Sequence, residues 1–258
     1  MSDYHRRMFL IALAFALPAT GSAAEPAVDP LLTLPVEQVT PDQVRQMQQR
    51  LADWPQLQRY RSENAALPAA VAEQPRVVFF GDSITEGWGP TGSDTFFAGK
   101  GYVNRGISGQ TTAQMLMRFR QDVVALKPAV VVILAGTNDI AGNTGVATQG
   151  MIEDNLHSMV EVAKANGIAV VLGSVLPVSE YPWRPGIAPV GKVRALNAAL
   201  RSYAKEQHLV WLDYYSAMAN AQGGLDASLA TDGVHPTAAG YARMAPLAEA
   251  AIAQALAR

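Results

Sequence analysis

Four-to-six-residue apolar runs, each stopped by a glycine or a polar residue, constrain this chain more than any other feature. Val77-Val78-Phe79-Phe80 ends at Gly81, Ala129–Leu134 (AVVVIL) at Ala135-Gly136, Ile168–Leu172 (IAVVL) at Gly173-Ser174, and Leu209–Leu212 (LVWL) at Asp213. Tyr102-Val103 is a shorter run ending near Asn104. Strands that alternate apolar and polar residues show one face to water; unbroken Val/Ile/Leu runs are covered on both faces, as in a parallel sheet. Helical stripes lie between the runs: Met115, Leu116, Phe119, Val123; then Ile152, Leu156, Val160, Ala163; then Val193, Leu196, Leu200, Tyr203. Tyr241, Met244, Leu247 and Ile252 form the last stripe. Five strand–helix alternations predict an α/β chain, a three-layer α/β/α sandwich on a five-stranded parallel sheet.

The N-terminal quarter reads differently. Arg6-Arg7 precede an apolar stretch from Met8 to Leu17, followed by the small residues Ser22-Ala23-Ala24. Residues 1–24 are therefore expected to be a secretory signal peptide, too short in its apolar part to span a bilayer, with a weak likeness to a twin-arginine signal. The expected location is periplasmic or secreted. Residues 25–75 are expected to form an N-terminal arm with a helix, and 76–258 a single α/β domain. In the arm, Thr40, Pro41 and Gln43 make a helix start with a capping box. Val44, Met47, Leu51 and Trp54 form an apolar stripe, Pro55 bends or ends the helix, and Ser62–Gln74 is looser.

Composition narrows the chemistry. With 20 Lys+Arg against 22 Asp+Glu, the net charge is −2, without the basic excess that nucleic acid demands. There is no cysteine, which excludes disulfides, thiolate metal sites and a cysteine nucleophile. Of four histidines, His5 falls in the signal.

In open parallel sheets the ligand crevice lies beyond the carboxyl ends of the strands, and polar residues of interest follow the runs directly. Gly81-Asp82-Ser83 either exposes Ser83 at a strand end or is a plain strand-to-helix turn with Ser83 as its cap. Gly106-Ile107-Ser108-Gly109 is either a loop that aims backbone N–H groups into the crevice or a simple turn. Asn138, in Gly136-Thr137-Asn138-Asp139, carries a side-chain amide suited to an oxyanion and is also a common turn residue. Asp232-Gly233-Val234-His235 spaces a carboxylate to reach an imidazole and fix its tautomer. His157 and His208 read as structural or solvated.

All four blocks, in this order, resemble the GDSL or SGNH hydrolases from about Arg76 to the C-terminus. Ile84 stands where leucine is usual. The look is closest to the branch of platelet-activating-factor acetylhydrolases and lysophospholipase-like esterases. The resemblance implies an SGNH, flavodoxin-like fold and a serine esterase of lipid, lysophospholipid-type or short acyl esters, or a carbohydrate O-acetylesterase. Ser83 would be the nucleophile, His235 the base and Asp232 its partner. The Ser83 and Gly109 N–H groups with the Asn138 amide would form the oxyanion hole. No metal or cofactor is needed by such chemistry. Trp88, Tyr181, Trp183 and Arg184 are candidates for a substrate rim. The alternative of another class is a non-catalytic binder on a similar sheet. Asp82 and Glu86 disfavour phosphate there, and a degenerate binder would be expected to lack Ser83 or His235.

Overall fold

The computed structural model describes residues 34–71, 73–89, 94–230 and 232–258; the expected signal peptide lies outside them. Helices α1 (Pro41–Ala52) and α2 (Arg61–Ala66) precede β1 (Val77–Gly81), α3 (Ser83–Glu86), α4 (Asp94–Phe97), β2 (Tyr102–Gly106) and α5 (Thr112–Asp122). Then come β3 (Val130–Leu134), α6 (Thr137–Ile140), α7 (Gln149–Ala165), β4 (Ala169–Gly173) and α8 (Pro189–Glu206). The chain closes with β5 (Val210–Leu212), α9 (Tyr214–Met218) and α10 (Ala238–Leu256).

The five strands form one sheet in the order β2-β1-β3-β4-β5, every pair parallel. Alternate residues supply its two faces. Val78, Phe80, Val131 and Ile133 pack with Met115, Phe119, Leu156, Val160 and Leu200 on α5, α7 and α8. Val77, Phe79, Val130 and Val132 pack with Trp88, Phe96, Tyr214, Tyr241 and Met244 on the other side. This is the expected three-layer sandwich. Chain order reverses direction between β1 and β3, the point at which open parallel sheets commonly take their ligands.

β2 runs three residues further than its apolar pair suggests. Arg105 is buried within it because Asn64 Oδ1 accepts from its Nε and the Tyr60 ring lies under its guanidinium. Gly106 ends the strand against α3: a Cβ there would stand 2.1 Å from the Glu86 backbone nitrogen. Only glycine permits the approach that brings the β2 end beside Ser83.

α1 starts as expected, with Thr40 and Gln43 exchanging capping bonds. Its stripe is not in the core, however: none of its residues is buried, and Val44 and Leu51 stand open. Residues 54–64 carry the attachment instead. Gln110 Nε2 donates to the Pro55 carbonyl (2.9 Å), Gln114 Nε2 to that of Trp54 (2.7 Å) and Gln121 Nε2 to that of Leu57 (2.6 Å). Tyr60 Oη donates to the Gly106 carbonyl, and Asn64 Nδ2 to Asp122 (2.7 Å). Hydrogen bonds, most of them to the backbone, fasten this segment to the domain.

Candidate active site

Ser83 opens α3, the turn immediately after β1. Asp82 caps it, its Oδ1 accepting from the Ile84 N–H at 3.0 Å. As the first residue of a helical turn, Ser83 has an N–H without an acceptor inside that turn. Its hydroxyl lies 2.9 Å from His235 Nε2, bridging 152 residues of sequence. His235 Nδ1 in turn lies 2.6 Å from Asp232 Oδ2. Asp232 Oδ1 accepts from the backbone N–H groups of Val234 and His235, which fixes the loop before α10. The His235 and Asp232 side chains are 39% and 38% exposed, so solvent and ligand can reach them.

The Asp232 carboxyl is held below its ordinary value. Burial pushes it up, but the His235 ring and the two backbone donors outweigh that. It therefore remains an anion facing the imidazole. Asp82 behaves in the opposite way: burial raises it to about 7, against the lowering pull of the Ile84 N–H and of His235. A carboxyl raised on folding contributes stability fully below its unfolded value, 3.8, and loses it as pH climbs through about 7. Asp82→Asn keeps an acceptor for Ile84 and cannot ionise. Its melting temperature should gain on the parent's between pH 5 and pH 8. A parent–variant difference equal at both pH values would refute this.

Asn138, buried on α6, donates from Nδ2 to the Gln110 carbonyl at 3.0 Å. Gly109, at φ +76°, turns the loop ahead of α5 through a conformation that side chains disfavour. One residue binds the two together. Asn143 Nδ2 donates to Asn138 Oδ1 (2.8 Å) and to the Gly109 carbonyl (3.3 Å), while its Oδ1 accepts from Trp183 Nε1 (3.0 Å). Sequence reasoning missed Asn143; its signal was a second amide five residues after Asn138. It also missed Arg118, which is fully buried and donates to the Gly81 and Arg105 carbonyls and to Gln110 Oε1.

The four rim candidates separate. Trp88, which follows α3, is a core residue, stacked on Phe96 and Tyr241 and edge-on to Phe79. Tyr181 is also fully buried, its hydroxyl 2.9 Å from Thr137 Oγ1; it anchors the loop that follows β4. Neither forms a rim. Trp183 and Arg184 do line a groove, and the Trp183 ring centroid lies 6.0 Å from that of His235. His157 stacks on Tyr203, and His208 precedes β5 at the amino end of the sheet. Among the described residues no cluster of three His, Cys, Asp or Glu side chains is placed to hold a metal ion.

Residues 79–243 match the profile of the GDSL-like lipase/acylhydrolase family. The chain belongs to that family. A GDSL-like lipase from Bacteroides thetaiotaomicron is 47% identical, with a TM-score of 0.76 over 78% of this chain and 98% of that one. Esterase TesA of Pseudomonas aeruginosa is 32% identical over 55% of this GDSL-family chain, which spans 64% of that esterase. An acetylxylan esterase from Geobacillus stearothermophilus is 29% identical over 64% of this chain and 88% of its own. The family match begins inside β1, so α1 and α2 lie ahead of it.

Proposed function

We propose that this chain is a carboxylic ester hydrolase working through an acyl-enzyme. The observation that carries the reading is the continuous relay Asp232–His235–Ser83, at 2.6 and 2.9 Å, with Asn138 in the turn that follows β3, the strand paired with β1. His235 Nε2 takes the Ser83 proton as Oγ attacks the ester carbonyl, and Asp232 stabilises the resulting imidazolium. The carbonyl oxygen gains charge and is met by the Ser83 and Gly109 N–H groups and the second N–H of Asn138. His235 returns its proton to the leaving alcohol. It then deprotonates water, which attacks the acyl carbon, releases the acid and restores Ser83. No cofactor or metal takes part. Lipid, lysophospholipid-type, short acyl and sugar O-acetyl esters are all open to this chemistry, and the relatives carry both esterase and acetylxylan esterase names.

The test is turnover of p-nitrophenyl acetate with fluorophosphonate labelling of Ser83. Absence of both would overturn the proposal. In the same assay Asn138→Ala should lose about 10²–10³-fold in kcat with little change in KM, as for a donor used in the transition state. The domain division reads as an export signal over 1–24, an arm over 25–75 and the hydrolase over 76–258, acting in the periplasm or outside the cell. A mature N-terminus near Glu25 on the exported protein tests that location. Among the described residues no helix is long and apolar enough to cross a membrane.

A further inference from the structure

Open space surrounds Gly109: at φ +76°, a Cβ built on it would meet only Asn143 Nδ2, 4.0 Å away. Packing therefore does not fix its N–H, yet an oxyanion hole works because its donors are in place before charge develops. The loop around Gly109 is held instead through its neighbours, all from one direction. Tyr60 Oη donates to the Gly106 carbonyl. Glu86 Oε2 accepts from the Ser108 N–H (2.9 Å) and hydroxyl, while its Oε1 accepts from Arg59 Nη2 (3.3 Å). Gln110 is buried and donates from Nε2 to the Pro55 carbonyl at 2.9 Å. Its own backbone carbonyl accepts from Asn138 Nδ2 at 3.0 Å and so sets which way that amide points. Pro55, Arg59 and Tyr60 all lie ahead of residues 79–243, the part that matches the family profile.

We infer that residues 53–60 are a positioning clamp for the oxyanion hole, acting through Gln110 and Tyr60 on the Gly109 N–H and the Asn138 amide. The inference rests on the hydrolase reading above. The segment is built to aim its groups. The Asp53 carboxylate accepts from the Leu57 and Gln58 N–H groups at 2.8 and 2.9 Å. Between them Pro55 is buried and Gln56 sits at φ +56°, a left-handed conformation that side chains disfavour. Such strain persists only where the surroundings impose it. Here it turns the Pro55 carbonyl toward Gln110. Attachment alone would not need this arrangement. Gln121, at the far end of α5, donates to the Leu57 carbonyl at 2.6 Å and fastens the same segment without touching the loop. The bonds to Gly106 and Gln110 do what that bond does not: they fix the two residues that bracket the Gly109 turn.

The test uses a matched pair, Gln110→Met and Gln121→Met, each replacing an amide that donates to the arm by an apolar chain of like length. Tyr60→Phe joins them; it removes one hydroxyl and keeps the ring under Arg105. With p-nitrophenyl acetate, kcat should fall about ten-fold in Gln110→Met and about three-fold in Tyr60→Phe, with KM within about two-fold of the parent's. A displaced donor weakens the transition state and not the substrate complex. Acylation and deacylation both pass through the oxyanion, so kcat reports the hole whichever step limits. Gln121→Met should keep the parent kcat even where its melting temperature falls as far as that of Gln110→Met. Equal losses of kcat at Gln110 and Gln121 overturn the inference, since they mark a general loosening. So does Tyr60→Phe at the parent kcat, which leaves Gln110 acting through Arg118 alone. So does a rise in KM at unchanged kcat. If the parent cleaves the ester and labels at Ser83, these failures touch the clamp alone. If it does neither, the hydrolase reading falls and the clamp with it.

Discussion

On the proposed mechanism, Ser83→Ala should abolish ester hydrolysis and leave the fold in place. The change removes one oxygen from a half-buried side chain whose side-chain contact is to His235. The cap on α3 belongs to Asp82 and survives. Loss of a serine nucleophile costs on the order of 10⁴-fold or more in kcat, because the remaining donors bind the oxyanion but no acyl-enzyme can form. The melting temperature should stay within about 2 °C of the parent's, since substitutions away from strong packing or caps are nearly neutral. Fluorophosphonate labelling should vanish in parallel. A variant that keeps more than a tenth of the parent rate would remove Ser83 from its role and leave His235 and Asp232 without a partner to serve.

Arg118→Met produces the largest loss of stability. Arg118 and Asp122 are both wholly buried and 3.2 Å apart, one turn apart on α5. Burial lowers the guanidinium to about 10, and Asp122 resists that shift, so the group stays charged at neutral pH. Methionine fills most of the space but abandons Asp122, the Gly81 and Arg105 carbonyls and Gln110 Oε1 together. Breaking one side of a buried pair typically costs about 3–5 kcal/mol, or roughly 6–20 °C in melting temperature for a chain of this size. Arg118→Met/Asp122→Leu should recover part of the loss, because a buried pair exchanged for apolar groups is often neutral. Thermal denaturation of the three proteins decides the matter; a single variant that melts with the parent would contradict it. Released from Arg118, Gln110 would also loosen the carbonyl that holds Asn138, so kcat should fall even where the variant remains folded.

What could be seen in the sequence divides along physical lines. The sheet was visible because burial on both faces leaves unbroken Val and Ile, and the four chemical blocks because the strands deliver them to one edge. β2 was under-read because Asn104 and Arg105 satisfy their polar groups inside the protein, through Asn64 and the Thr85 carbonyl, and nothing local announces that. Trp88 was misplaced for a related reason. An indole five residues after a reactive serine fits a rim or a core equally well, and the stacking partner that decides, Tyr241, lies at the other end of the chain. The stripe on α1 is legible as periodic, but its place outside the core is not. Periodicity reports that one face differs from the other, not what will lie against it.

The separation of 152 positions between Ser83 and His235 also has a temporal meaning. During synthesis Ser83 emerges early, just after the first strand of the sheet, while His235 arrives just ahead of the final helix. Until α10 docks, Tyr241 cannot donate to the Ile84 carbonyl, and no imidazole stands beside the serine. On the proposed mechanism the nascent chain should stay inert toward esters until residue 235 has emerged, and a truncation between residues 138 and 235 should keep Ser83, Gly109 and Asn138 but lack His235.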